Sequence, residues 1–274
     1  MGYPMPSGVH VIPPNLLDLR PDDEIDHDLL HPPPVKDEKN IWFYWHTGFD
    51  TAYPYIKRNV RTWYRRFVKQ GWAIRVLDRR PDSPLNVSNY LDTTDPQTFP
   101  PAFIDGTLAG RYPVQHNSDL VRWPLLLRYG GIYADVGMIQ IGDIDRLWNA
   151  TIADTSNPYD VISYAADGVQ GKTLTNYFLG SRRDNPLFER SHHLLLALWA
   201  EDGGKTTTDG MHASPLLKGV PMMSGAGLAF EENGKKYSDD DTGKMLTDYI
   251  IQGQVRQLQG GSVALTDYRR HYRW

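Results

Sequence analysis

The 274-residue chain contains no cysteine, which excludes disulfides, thiolate nucleophiles and cysteine-based zinc sites together. It also lacks an excess of basic charge. With 33 acidic against 29 basic residues the net charge is −4, so the electrostatic footprint of a nucleic-acid binder is missing and nucleic acid is not an expected partner. No stretch approaches the roughly 20 apolar residues of a membrane span, and the opening residues show no basic start followed by an apolar run. The expectation is a soluble chain with no membrane span, placed in the cytoplasm. Two motifs are absent as well. Without GxSxG and GxGxxG, the usual serine hydrolases and dinucleotide oxidoreductases are disfavoured.

What is present is enough apolar material, 40% of residues, to build one substantial core. Residues 1–38 are rich in Pro, Asp and His and end in His31-Pro32-Pro33-Pro34, which reads as an extended arm. Residues 39–274 read as a single domain. Its first strand is Asn40–Trp45 (NIWFYW), an apolar run without alternation, as in a central strand covered on both faces. His46-Thr47-Gly48 breaks it. Tyr55–Gln70 has helical spacing, with Ile56, Val60, Trp63 and Phe67 on one stripe and Lys57, Arg58, Arg61, Arg65 and Arg66 facing elsewhere. A second strand follows at Trp72–Leu77. This order predicts an open α/β sheet flanked by helices, with a ligand site beyond the carboxyl ends of its strands. Pro81–Tyr112 reads as a long irregular connection with one short helix.

The most informative segment is His116–Gly137. Asn117 or Ser118 is expected to cap a helix, Gly130-Gly131 to end it with left-handed backbone, and Pro124 to kink it or set its first turn apart. Asp119 and Arg122, three apart, then share one helix face and can grip one ligand. Ile132–Ala134 is a short strand delivering Asp135 at its carboxyl end. An Arg fork suits phosphate or a pair of sugar hydroxyls, and a carboxylate at a strand end suits ribose hydroxyls or a divalent ion on a diphosphate. Taken without its surroundings, the pair reads equally well as a helix-start acid and its salt-bridge partner.

The run SDLVRWPLLLRYGGIYADVG, residues 118–137, resembles the sugar-binding region of glycosyltransferase family 32, which includes capsular polysaccharide synthesis proteins. That family's pattern is an acid and an arginine three apart, a Gly-Gly-x-Tyr turn and a DxD at a strand end. Asp119, Arg122, Gly130, Gly131, Tyr133 and Asp135 match it, and NIWFYWHTG looks like the family's first strand. The resemblance covers about residues 39–188. It implies a GT-A-type fold with an open, mostly parallel sheet, a donor half at about 39–150 and an acceptor-side half at about 151–274. The implied activity is transfer of a sugar, with retention of configuration, from a nucleotide-sugar donor, UDP-sugar favoured and GDP-sugar second, to a glycan or small-molecule hydroxyl. Catalytic roles are implied for Asp119, Arg122 and Asp135. The implied donor site adds Trp45 as base platform, His46, Thr47, Tyr133, Ala134 and Gly137. Asp135 would hold Mn²⁺ or Mg²⁺. Gly137 stands where the family usually carries its second aspartate, so the motif is DxD-like and the cation rests on one carboxylate. A second reading is a nucleotide-sugar or glycan binding module without turnover.

Other candidates are plainer. Asp143-x-Asp145 is a literal DxD placed for helix capping, after an expected strand at Met138–Ile141. Asp239-Asp240-Asp241 reads as a solvated run. His192 and His193 are adjacent and diverge on an expected helix at Leu187–Trp199. Met211-His212 and Pro221–Gly225 suit an acceptor groove.

Overall fold

The structure is a computed structural model and describes residues 12–139, 142–168 and 171–257. The elements in chain order are α1 (Asp22–Leu30), β1 (Asn40–Tyr44), α2 (Pro54–Phe67), β2 (Ala73–Leu77), α3 (Pro101–Ile104), α4 (Pro113–Tyr129), β3 (Gly131–Ala134), α5 (Ile144–Ala150), β4 (Val161–Gly168), β5 (Gly171–Ser181), α6 (Pro186–Ala200), β6 (Phe230–Glu232), β7 (Lys235–Tyr237), α7 (Asp239–Tyr249) and α8 (Ile251–Gln257). The main sheet has the order β2-β1-β3-β5-β4. β1 is parallel to both β2 and β3, whereas β5 is antiparallel to β3 and to β4. The sheet is therefore mixed rather than mostly parallel, because the β4–β5 hairpin closes one side. A separate ribbon pairs β6 with β7.

β1 is buried throughout, and alternation sends its side chains to two cores. Ile41 and Phe43 join Ile56, Val60, Trp63 and Phe67 of α2 on one face. Trp42 and Tyr44 join Leu120, Trp123, Leu125 and Leu126 of α4 on the other. This is the helix-flanked α/β sheet anticipated, and among the described residues no helix is long and apolar enough to cross a membrane.

Three local expectations change. The arm expected to be extended contains α1, whose Ile25 and Leu29 are fully buried. Asp22, Asp23 and Glu24 in its first turn favour the helix N-terminus, and its acids face the basic side of α2. Arg61 binds Asp22 and Asp26 at 2.6 Å, and Arg65 reaches Asp22 at 2.8 Å. The arginines read as facing elsewhere thus hold α1 in place. Second, α4 starts at Pro113, a position that suits proline because no intrahelical donor is needed there. Asn117 and Ser118 consequently lie inside the helix instead of capping it. Pro124 sits within α4, where its missing N–H leaves the Leu120 carbonyl without its helical donor. Third, Met138 and Ile139 are not in a strand. The Met138 amide closes a turn on the Asp135 carbonyl at 2.9 Å, while Gln140 and Ile141 lie outside the described residues, as does the C-terminal segment Gly260–Trp274.

Gly130 and Gly131 end α4 with φ of +65° and +97°. A Cβ on Gly131 would lie 2.4 Å from the Asn40 carbonyl oxygen, so only glycine lets β3 start this close to β1.

Candidate active site

The sheet order places β2 and β3 on opposite sides of β1 with all three parallel, which makes the β1/β3 boundary a topological switch point. The residues leaving the carboxyl ends there are Trp45 after β1, Asp78 after β2 and Asp135 after β3. α4 runs behind this edge and adds Asp119 and Arg122.

Arg122 is the hub. Its Nη2 lies 2.8 Å from Asp119 Oδ1 and 3.3 Å from Asp135 Oδ1, and also donates to Ser118 Oγ at 3.1 Å. Nη1 donates to the Asn176 carbonyl, and Nε to the Ser118 carbonyl at 3.4 Å. The guanidinium lies over the Tyr133 ring, 4.8 Å from its centre. Burial works against its charge, but Asp119 and Asp135 outweigh that and hold Arg122 protonated above its usual range. At 2% exposure with both Nη2 hydrogens engaged, most of its fork faces the protein.

Asp119 is fixed from every side. His116 Nδ1 is 3.3 Å from Oδ2 and must carry the proton, since a carboxylate only accepts. His116 Nε2 pairs with Thr208 Oγ1 at 3.1 Å. The Gln252 amide donates to the Asp119 carbonyl at 2.6 Å, and Asn176 Nδ2 lies 3.5 Å from Oδ1. None of these partners was read from the sequence. Apart from His116, whose three-residue spacing from Asp119 is a local signal, they come from remote segments.

Asp135 differs from Asp119 in facing outward, with 43% of its side chain exposed. Burial of the surrounding site, opposed by Arg122 and reinforced by Asp119, nevertheless raises its pKa. Its turn is clamped by α2. Asn59 Nδ2 donates to the carbonyls of Val136 at 2.5 Å and Met138 at 2.7 Å, and Trp63 Nε1 to Met138 at 3.0 Å. A Cβ on Gly137 would meet no atom within 4 Å, so this turn leaves open space where a second carboxylate would project.

The remaining expected site residues divide. Tyr133 and Ala134 are completely buried. Tyr133 supports Arg122 from below and bonds Ser118 Oγ through its hydroxyl at 2.6 Å, and burial raises its pKa against the pull of Arg122. Trp45 is half-buried, edge-on to Tyr53 at 5.8 Å, and its indole nitrogen has no hydrogen-bond partner among the described residues. Tyr44 Oη is 2.8 Å from His46 Nδ1; burial lowers the His46 pKa, and Arg79 adds to this. Thr47 shares a hydroxyl contact with Thr51 at 2.7 Å.

The literal DxD is structural. Asp143 caps α5, accepting from the Arg146 amide, while Asp145 accepts from Lys39, Trp72 and Asn149. Asp239–Asp241 open α7: Asp239 accepts from Gly227 and Ala229, Asp240 pairs with Lys244, and Asp241 completes a capping box with Ser238. His192 is packed on the Thr98 carbonyl at 3.0 Å and His193 is exposed. Among the described residues no group of three or more His, Asp or Glu side chains is arranged to hold a metal.

Fold and site together define an α/β protein with an acid–arginine–acid cluster at the switch point of its sheet. Residues 17–205 match the family described as capsular polysaccharide synthesis protein, and the chain belongs to that family. Its relatives include the O-glycosyltransferase braB of Annulohypoxylon truncatum, 36% identical over 80% of this chain and 51% of the relative. The probable glycosyltransferase FCK3 of Fusarium pseudograminearum is 38% identical over 73% of this chain and 48% of its own. The O-glycosyltransferase PaGT of Phomopsis amygdali is 34% identical over 86% and 57%. The chain spans about half the length of the curated relatives it matches.

Proposed function

We propose that the chain is a glycosyltransferase domain of GT-A type that binds a nucleotide sugar at the β1/β3 edge and transfers the sugar to a hydroxyl oxygen. The observation that carries this reading is the convergence of Asp119, Arg122 and Asp135, matched to the family pattern and set at the strand ends. Two of the relatives are O-glycosyltransferases, which supports an oxygen acceptor on a glycan or small molecule. UDP-sugars are the favoured donors and GDP-sugars the second choice.

In this reading Trp45 stacks on the base, with His46 and Thr47 beside it. Asp119 and Arg122 stand behind the sugar and diphosphate and hold Asp135 in place, and Asp135 takes ribose hydroxyls or a divalent cation. The residues present fit Mn²⁺ or Mg²⁺ held by one protein carboxylate. Asp135 Oδ1 faces Arg122, whereas among the described residues no hydrogen bond engages Oδ2, and such hard cations often keep only one or two carboxylates plus water and substrate phosphate. The cation would stabilise the leaving nucleoside diphosphate, where negative charge develops. The resemblance to glycosyltransferase family 32 favours retention of anomeric configuration.

The test is calorimetry and thermal shift with UDP- and GDP-sugars, with and without Mn²⁺, on the wild-type chain and Asp135→Ala. Ligand binding to the native state raises the melting temperature by linkage. A donor-selective shift that Asp135→Ala abolishes supports the reading, and no shift with any donor refutes it. Binding without release of nucleoside diphosphate would identify a binding module instead.

A further inference from the structure

The junction of α7 and α8 is tied to the candidate site by three separate contacts. Gln252 donates to the Asp119 carbonyl. The Tyr249 ring lies 6.3 Å from the ring of His116, the residue that bonds the Asp119 carboxylate. Tyr249 also packs on Tyr112, at the start of α4, with ring centres 4.6 Å apart and planes tilted by 57°. The last residue of α7 is therefore fixed beside the turn of α4 that carries Asp119.

Tyr249 is not absorbed by the core. It is 37% exposed, and its hydroxyl makes no hydrogen bond among the described residues. Burial, with the fields of Asp119 and Asp135 added, holds the phenol protonated, so its O–H is available to donate. Tyr112 is half-buried and backed by the Arg111 guanidinium, 5.8 Å from its ring centre. The result is a supported aromatic wall with one free hydroxyl, beside the turn of α4 that carries Asp119 and within the field of Asp135. A pyranose ring matches that chemistry. Its C–H face packs on an aromatic ring, while its hydroxyls bond a phenol and carboxylates.

We propose that Tyr249, backed by Tyr112, forms one wall of a pyranose-binding subsite beside Asp119 and Asp135. This deepens the glycosyltransferase reading and rests on it. The pyranose belongs either to the donor or to the acceptor, and the two sources are separable.

The experiment is calorimetry on the full chain in Mn²⁺ with wild type, Asp135→Ala, Tyr249→Phe and Tyr249→Ala. Tyr249→Phe keeps the packing on Tyr112 and removes only the hydroxyl. Ligands are the UDP- or GDP-sugar that binds wild type, the matching nucleoside diphosphate, and methyl hexopyranosides titrated into protein saturated with that diphosphate. If the subsite holds the donor's sugar, Tyr249→Phe binds the diphosphate normally and the sugar nucleotide about five- to tenfold more weakly. If it holds the acceptor, donor affinity is unchanged and the methyl pyranoside weakens by a similar factor. Binding of both ligand types by Tyr249→Phe and Tyr249→Ala within about twofold of wild type, with donor binding still dependent on Asp135, overturns the subsite alone. Absence of any nucleotide-sugar binding by wild type overturns the glycosyltransferase reading and the subsite with it.

Discussion

Replacing Arg122 by methionine tests whether the cluster is held together by one buried cation. The substitution keeps an unbranched stem but removes the charge shared by Asp119 and Asp135, at 2.8 and 3.3 Å. The two carboxylates respond differently. Asp135 has 43% of its side chain exposed and can hydrate, so little of the cost falls on it. The Asp119 side chain is 11% exposed and keeps only His116 and a long contact to Asn176. Removing one partner of a buried ion pair typically costs about 3–5 kcal/mol, because the other charge stays behind uncompensated. We expect the lower part of that range, about 3 kcal/mol, since His116 still binds one carboxylate oxygen. The double variant Arg122→Met/Asp119→Asn removes the stranded charge and should recover at least half of the loss. Urea unfolding followed by tryptophan fluorescence measures both variants. An Arg122→Met protein within about 1 kcal/mol of wild type, or a double variant no more stable than the single, would refute the account.

Four further outcomes follow from the same geometry. Burial and Asp119 make Asp135 harder to ionise in the folded chain, so its contribution to stability falls as pH rises through its raised folded value. Asp135→Asn should therefore raise the melting temperature at pH 7, an advantage that fades as pH is lowered into the ordinary carboxylate range, while donor binding is lost. Asn59→Leu strands the Val136 carbonyl and leaves the Met138 carbonyl to Trp63 alone, which should cost about 1–3 kcal/mol in unfolding measurements and weaken donor affinity by loosening the Asp135 turn. Gly131→Ala should fail to give folded protein, because its Cβ meets the Asn40 carbonyl at 2.4 Å. The control Gly106→Ala, with φ of +66° and no atom within 4 Å, should cost only about 1–2 kcal/mol and remain soluble. Burial pushes the His192 pKa down to about 4 from 6.5. The folded chain thus refuses a proton that the unfolded chain accepts, and stability should fall by up to about 3 kcal/mol between pH 6.5 and 4. A His192→Asn protein that keeps the same pH slope there would exclude this cause.

Much of the sheet and the meeting of Asp119 and Arg122 in the candidate site were legible because their signals are local. The unbroken apolar run of β1, the stripe on α2 and the Gly-Gly pair before β3 each act within a few residues. The three-residue spacing of Asp119 and Arg122 placed both on one helix face, where they meet in space. α1 was missed because its composition is that of a polar loop, and its stability comes from two apolar anchors and the arginines of a helix about 35 residues later. The start of α4 was misplaced because Asn117 and Ser118 resemble caps, while Pro113 is the residue that opens the helix. The second layer of the site has no local signature at all. Thr208, Gln252, Tyr249 and Asn59 reach it from elements distant in sequence, and only the folded sheet brings them together.

That second layer changes how the arginine is understood on the glycosyltransferase reading. From sequence, Arg122 looks like a fork offered to a diphosphate. In the fold it is nearly fully buried, with both Nη2 hydrogens engaged and one Nη1 hydrogen on Asn176. Its charge balances only one of the two neighbouring carboxylates, leaving the cluster one unit negative. A diphosphate approaching that cluster meets repulsion unless a cation arrives with it. The outward-facing oxygen of Asp135 and the open space at Gly137 are where that cation has room. Arg122 then serves chiefly to keep two carboxylates close together, and the metal carried in with the donor, more than the arginine, would balance the charge of the leaving group.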